Sequence, residues 1–131
     1  MNNSLYIGEV VYSLLSTITE TGTRCYPIIA ENSTSMPFLV YQRDTLIRTS
    51  LTKDGYGDDE VQVSVKVIAT GYKEALDIAQ QVRTKLTLNN YSHTDNNNNV
   101  VMRVSSKLIA AYESFEENCY IQTLTFDMSV I

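Results

Sequence analysis

Glu60-Val61-Gln62-Val63-Ser64-Val65-Lys66-Val67-Ile68-Ala69 is the most regular stretch of the chain. Valine stands at every second position from Val61 to Val67, with Gln62, Ser64 and Lys66 between. Side chains of an extended backbone point alternately to opposite faces. A period of two therefore predicts a strand with one valine face for a core and one polar face for solvent or a partner. β-Branched residues suit that surface because their χ1 is already restricted. Gly71 breaks the pattern, and beyond it the period changes. Ala75, Ile78, Ala79, Val82 and Leu86 fall on one stripe, while Lys73, Asp77, Gln80, Gln81 and Arg83 lie off it, which predicts a helix from about Tyr72 to Leu88. A strand turning directly into a helix makes the chain a mixed α and β protein.

Toward the N-terminus, Pro37 opens a second apolar run, Phe38-Leu39-Val40-Tyr41, which continues as a strand through Ile47. Apolarity on both of its faces predicts cover on both sides, the core on one and another subunit on the other. Glu31 to Ser35 reads as a loop. A short strand from Arg24 to Ile29 carries Pro27, which cannot donate to a ladder and so belongs at a sheet edge. Ile7, Val11, Leu14 and Ile18 recur at helical spacing and predict a first helix over Ser4 to Glu20, with Ser4 as N-cap and Gly22 as the stop.

Toward the C-terminus, Asn89 to Asn99 shows no period and reads as a loop. Val100 to Tyr112 predicts an irregular, bulged strand. Gln122 to Val130 alternates, with Leu124, Phe126, Met128 and Val130 inward and Thr123, Thr125, Asp127 and Ser129 outward. The sum is one α+β domain spanning residues 1–131, in the order α-β-β-β-α-β-β. It has a mostly antiparallel sheet of about five strands with two helices packed on one face.

The 131 residues are 44% hydrophobic and 19% charged, as a folded domain requires. Fifteen acidic residues against ten basic ones leave a net charge of −5, and the basic residues are scattered singly. Phosphate grip needs clustered Lys and Arg, so sequence-specific nucleic-acid binding is not expected. The opening residues Met1 to Glu9 hold no basic region leading into an apolar run, as a secretory signal would. No apolar stretch reaches the ~18 residues of a membrane helix, and no membrane partner is expected. Cys25 and Cys119 each sit in an apolar run. Two readings stand open, buried free thiols or a disulfide between neighbouring strands.

No constellation for catalysis, a cofactor or a metal is legible, and the expectation is a protein that is not an enzyme. The one histidine, His93, falls in the Asn-rich loop and reads as solvated, whereas catalysis needs rigid placement. Asp54-Gly55-Tyr56-Gly57-Asp58-Asp59-Glu60 lacks the alternating oxygen ligands and distal Glu of a calcium loop, and reads as a polar turn. Gly55-x-Gly57 lacks the third glycine of a dinucleotide fingerprint and precedes a strand where a helix should begin. Glu113, Glu116 and Glu117 read as a polar turn. Nine tyrosines without a tryptophan mildly favour an interaction surface.

The order and spacing of packing signatures along the chain resemble the phage tail-completion family that includes the tail terminators. They are the N-terminal helix, Tyr26-Pro27, Met36-Pro37-Phe38-Leu39-Val40-Tyr41, the alternating strand Glu60 to Ala69, Gly71-Tyr72-Lys73-Glu74-Ala75 opening a helix with Ala79 and Val82-Arg83, and Glu116-Glu117-Asn118-Cys119-Tyr120 before the last strand. The resemblance implies a subunit of a virion tail, assembled in the host cytoplasm. It would form a ring with copies of itself, a hexamer, and bridge tail-tube protein to the head-side connector. A head-closure or neck protein of the same particle, or a small ligand-binding α+β domain, are the alternatives. On this reading Phe38, Leu39, Val40 and Tyr41 with Gln62, Ser64 and Lys66 are expected near the subunit contact, because an open sheet has edges that a neighbour can cover. Asp54, Tyr56, Asp58, Asp59 and Glu60 are expected to face the lumen or the tube, where acidic residues would let DNA pass without adhering.

Overall fold

All four alternating valines are inside. In the computed structural model, which describes residues 4–31, 34–48 and 59–130, they belong to the strand β3, Asp59–Ala69. Val61, Val63, Val65 and Val67 are each no more than 1% exposed. Complete burial of such a side chain contributes roughly 1.5–3 kcal/mol, so this strand anchors the core. The long strand β2, Phe38–Arg48, pairs antiparallel with one side of β3, and β6, Cys119–Val130, pairs antiparallel with the other. Outside β6 lies β5, Val100–Glu116, and outside β5 lies β4, Leu88–Thr94. The short β1, Cys25–Pro27, completes the other edge by pairing parallel with β2.

The sheet therefore has six strands in the order β1-β2-β3-β6-β5-β4 and is mixed, where five mostly antiparallel strands were expected. The extra strand is β4, which occupies the Asn-rich segment read as a loop. An edge strand has a neighbour on one side only, and here just Leu88, Tyr91 and His93 are half-buried while the rest is exposed. Such a strand needs no apolar alternation and leaves no period in the sequence. The turn that follows is held by Asp95, whose carboxylate accepts the backbone N–H groups of Asn97 and Asn99.

The second helix, α2, runs Tyr72–Leu86, and every residue of its predicted stripe is buried. The first helix, α1, covers only Ile7–Leu15 after a 3₁₀ turn at Ser4–Tyr6. It stops short of the expected Glu20 in a stretch rich in hydroxyls. Ser13 and Thr17 donate to the carbonyls of Val10 and Leu14, a competing local bond that loosens a helix. Gly22 still ends the segment, at φ 54° and with its N–H 2.7 Å from the Ile18 carbonyl. Ser4 is not a cap. It is buried, and its hydroxyl donates to the carboxylate of Asp59.

Ile7, Val10, Val11 and Leu15 of α1 and Ile78, Ala79, Val82 and Leu86 of α2 join the β3 valines and Leu124, Phe126, Met128 and Val130 in one cluster. α1 packs against β1 and β2, and α2 against β3, β6 and β5. The sheet is curled. The Leu5 carbonyl beside α1 accepts a bond from Arg43 of β2, while Tyr6 and Glu9 share a hollow with His93 and Asp95 at the far side. That curl replaces the expected plain layer of two helices on one sheet face.

Candidate assembly interface

The two outer edges of the sheet are covered in part, and in opposite halves. β1 meets β2 only at Leu39, Val40 and Tyr41, at the end of the sheet where Phe38 is level with Ile68 and Ile121. Among the described residues, Gln42–Arg48 of β2 has no strand on its outer side. β4 meets β5 only from Val100 to Ser106, at the opposite end. Lys107–Glu116 of β5 likewise has no strand on its outer side among the described residues. A row of unpaired backbone N–H and C=O groups is a template for another strand.

The free stretch of β5 carries exposed apolar side chains: Ile109 at 46%, Tyr112 at 61% and Phe115 at 57%. The free stretch of β2 carries Ile47 at 61%. None of Ile109, Tyr112 and Phe115 was singled out from the sequence. The available signal was that apolar residues continue past Leu108 while the alternation fails. The failure has a local cause, a register shift between Leu108 and Ala110 that moves later side chains onto the opposite phase.

The residues expected at the subunit contact divide on this geometry. Phe38, Val40 and Tyr41 are half-buried and Leu39 is a core residue at 0% exposure. The outer side of Leu39–Tyr41 is taken by β1, so the open edge begins only where they end. Gln62, Ser64 and Lys66 lie in β3, the third strand of six, on the face opposite the valines. Of the residues expected at the lumen, Asp54, Tyr56 and Asp58 lie outside the described residues. Asp59 opens β3 and is buried, and Glu60 is half-buried beside Ser129 and Ile47.

The β5–β6 hairpin ends in a two-residue turn at Glu117 and Asn118, both with positive φ, 50° and 64°. Such a turn matches the right-handed twist of two strands. Beneath it, Phe115 and Tyr120 pack with centroids 4.8 Å apart, and Tyr72 meets Tyr120 edge to face at 5.7 Å. The Glu113 carboxylate accepts bonds from Gln122 and the Tyr72 hydroxyl, each 2.9 Å. These donors, Gln122 first, hold the Glu113 carboxyl below its ordinary range. The same bond to Glu113 pushes the Tyr72 phenol up. The cluster ties the start of α2 to the hairpin and is a positioning device.

On the face opposite the valines, Ile28, Ile29 and Met36 wall an open hollow of about 360 Å³ floored by Phe38, Ile68 and Ile121. Ile28 and Ile29 are 70% and 78% exposed, and Ile28 sits at φ 67°, unusual for a β-branched residue. Cys119 lies beside this hollow, its sulfur 3.6 Å from that of Met36. Cys25 and Cys119 are both free and buried, which decides between the two readings of the sequence. Burial pushes the Cys25 thiol up to about 12, so it stays protonated and unreactive. Among the described residues no helix is long and apolar enough to cross a membrane, and no three His, Cys, Asp or Glu side chains converge as a metal site would need.

No protein-family profile matches the sequence, and no curated protein matches it. The fold does have a counterpart. A chain in the virion of a native gene transfer agent particle superimposes with a TM-score of 0.61. This chain shares the fold of a virion protein. The likeness covers 92% of this chain and 84% of the other at 14% sequence identity. At that identity it is the backbone arrangement that is common to the two, and few side chains are.

Proposed function

We propose that this protein is a structural subunit of a phage or phage-like particle, a tail-terminator or tail-completion protein. It works as a ring of identical copies, a hexamer, seated between the tail tube and the head-side connector. The reading assigns it no enzymatic chemistry and places it in the virion tail, assembled in the cytoplasm of the host.

The observation that carries the reading is the fold shared with a gene transfer agent virion chain across nearly the whole length. The half-covered sheet edges support it, because a subunit built to meet copies of itself keeps backbone donors and acceptors free for them. The order of motifs from Tyr26-Pro27 to Cys119-Tyr120 supports the choice of tail over other parts of the particle.

Deleting the gene from a strain that produces the particles, followed by electron microscopy, tests the reading. Tails of uncontrolled length, or tails detached from filled heads, are the expected outcome, restored by supplying the chain in trans. Normal, joined particles from the deletion strain would overturn it.

A further inference from the structure

We infer that copies of this chain join by strand pairing, the open stretch Arg43–Arg48 of β2 in one copy lying antiparallel to Ala111–Glu116 of β5 in the next. The inference rests on the ring reading above and specifies the contact that reading needs.

A free strand edge is selective in what it can accept. Its unpaired N–H and C=O groups bond to another extended backbone in register, so the partner surface must be a strand edge. This chain supplies one of matching length. The two open stretches lie on opposite sides of the sheet, as a head-to-tail contact between identical subunits requires. Their polarity also fits. β2 and β5 run in opposite directions within one copy, through β3 and β6, so equally oriented copies placed side by side bring them together antiparallel.

Side chains choose the register. Ile47 is level with Glu60 and Ser129, and Tyr112 is level with Thr123 and Lys66, so both stand on the face opposite the valines. Each is 61% exposed. Setting Ile47 of one copy opposite Tyr112 of the next makes a β-branched–aromatic cross-strand pair, a favourable combination. The same register puts Leu46 beside Glu113 and Thr45 beside Ser114, so both faces stay matched.

That register staggers each copy against its neighbour. Within one copy, Ile47 is level with Ser129 of β6 and Ser105 of β5, whereas Tyr112 is level with Thr123. The offset is six rows, or about 20 Å at the rise of a strand. The four strands it crosses, β2, β3, β6 and β5, span roughly 19 Å. A ring can close on such a stagger only if its strands tilt by about 45° from the ring axis, a tilt near that of closed β-barrels. The half-covered edges are then the same feature seen twice. β4 blocks the lower half of one side and β1 the upper half of the other, which forbids the unstaggered, flat arrangement.

The test uses the full chain, which keeps its buried Cys25 and Cys119, with one cysteine added at each of the two exposed positions in turn. Ile47→Cys and Tyr112→Cys proteins are oxidised alone and as an equimolar mixture, and the products are separated on a non-reducing gel. Native mass and sedimentation velocity are measured on the same proteins. The expected result is a disulfide-linked dimer in the mixture and at least tenfold less in either protein alone. Tyr112→Lys, which sets a charge on the edge, is expected to weaken self-association at least tenfold while leaving the unfolding midpoint of the dissociated chain, measured at low concentration, unchanged. If the wild-type chain forms oligomers but the mixture does not cross-link and Tyr112→Lys associates normally, the strand pairing is overturned and the ring reading stands. If the wild-type chain is a monomer at every concentration and with tail-tube protein present, both fall.

Discussion

Two phenylalanines on the same face of the same hairpin meet opposite fates. Phe126 of β6 is level with Val63 and Leu108 and is completely buried. Phe115 of β5 is level with Tyr120 and Ala69, on that same inner face, yet it is 57% exposed. The strand pattern is equivalent at the two places. What differs is the layer above. α2 packs mainly on β6 and β3 and reaches the hairpin end only through Tyr72 on Tyr120, so Phe115 on the neighbouring strand β5 is left largely without a layer above it. The covered region is a core, and the uncovered end is a surface that has kept apolar side chains. Alternation says which face a residue takes, and only the packing of a second layer says whether that face is dry.

Truncating each ring separates the two sites most clearly. Phe126→Ala leaves a cavity among Val63, Val65 and Leu108 and should cost about 3–5 kcal/mol in equilibrium denaturation. Phe115→Ala should stay within about 1 kcal/mol, because most of its ring is already in water. Equal losses would mean that the hairpin end is as much a part of the core as the middle.

The turn at the tip allows a smaller test. Glu117 holds a left-handed backbone without the local bonding that favours Asn, or the freedom of Gly, in that region. Replacing Glu117-Asn118 by Asn-Gly, the preferred pair for this turn, should stabilise the protein by up to about 1 kcal/mol. The gain should show as slower amide exchange confined to the hairpin, with the β3 amides unchanged. A gain spread over the sheet would show that the two regions unfold together.

The smallest effect is electrostatic. Glu113 titrates below its ordinary range in the folded chain, so its bonds add stability above about pH 4.3, and that stability is lost as pH falls through the lower folded value. Tyr72 titrates above its ordinary range, so its share is present below about pH 10 and is lost as pH rises through the higher folded value. Glu113→Gln should flatten both flanks of the stability profile and bring the Tyr72 phenol back down, read by ultraviolet titration. A Tyr72 titration unmoved by that change would show that the phenol does not hold the hairpin.

The chain itself spelled out its two most regular pieces. The valine repeat of β3 and the stripe of α2 were legible because each buries one complete face, and burial of a face forces a period into the residues. Leu124, Phe126, Met128 and Val130 were legible for the same reason. β4 was not, since an edge strand bonded through its backbone to a single neighbour imposes no such period. Nor was the parallel pairing of β1, because hydrogen bonds between main chains carry no side-chain signature. The free stretches of β2 and β5 exist only as a result of where β1 and β4 stop, a matter of three-dimensional register. Local sequence thus decided which segments extend or coil and which face turns inward. Long-range packing alone decided which edges stayed open, because an edge is open or closed according to what lies beside it in space.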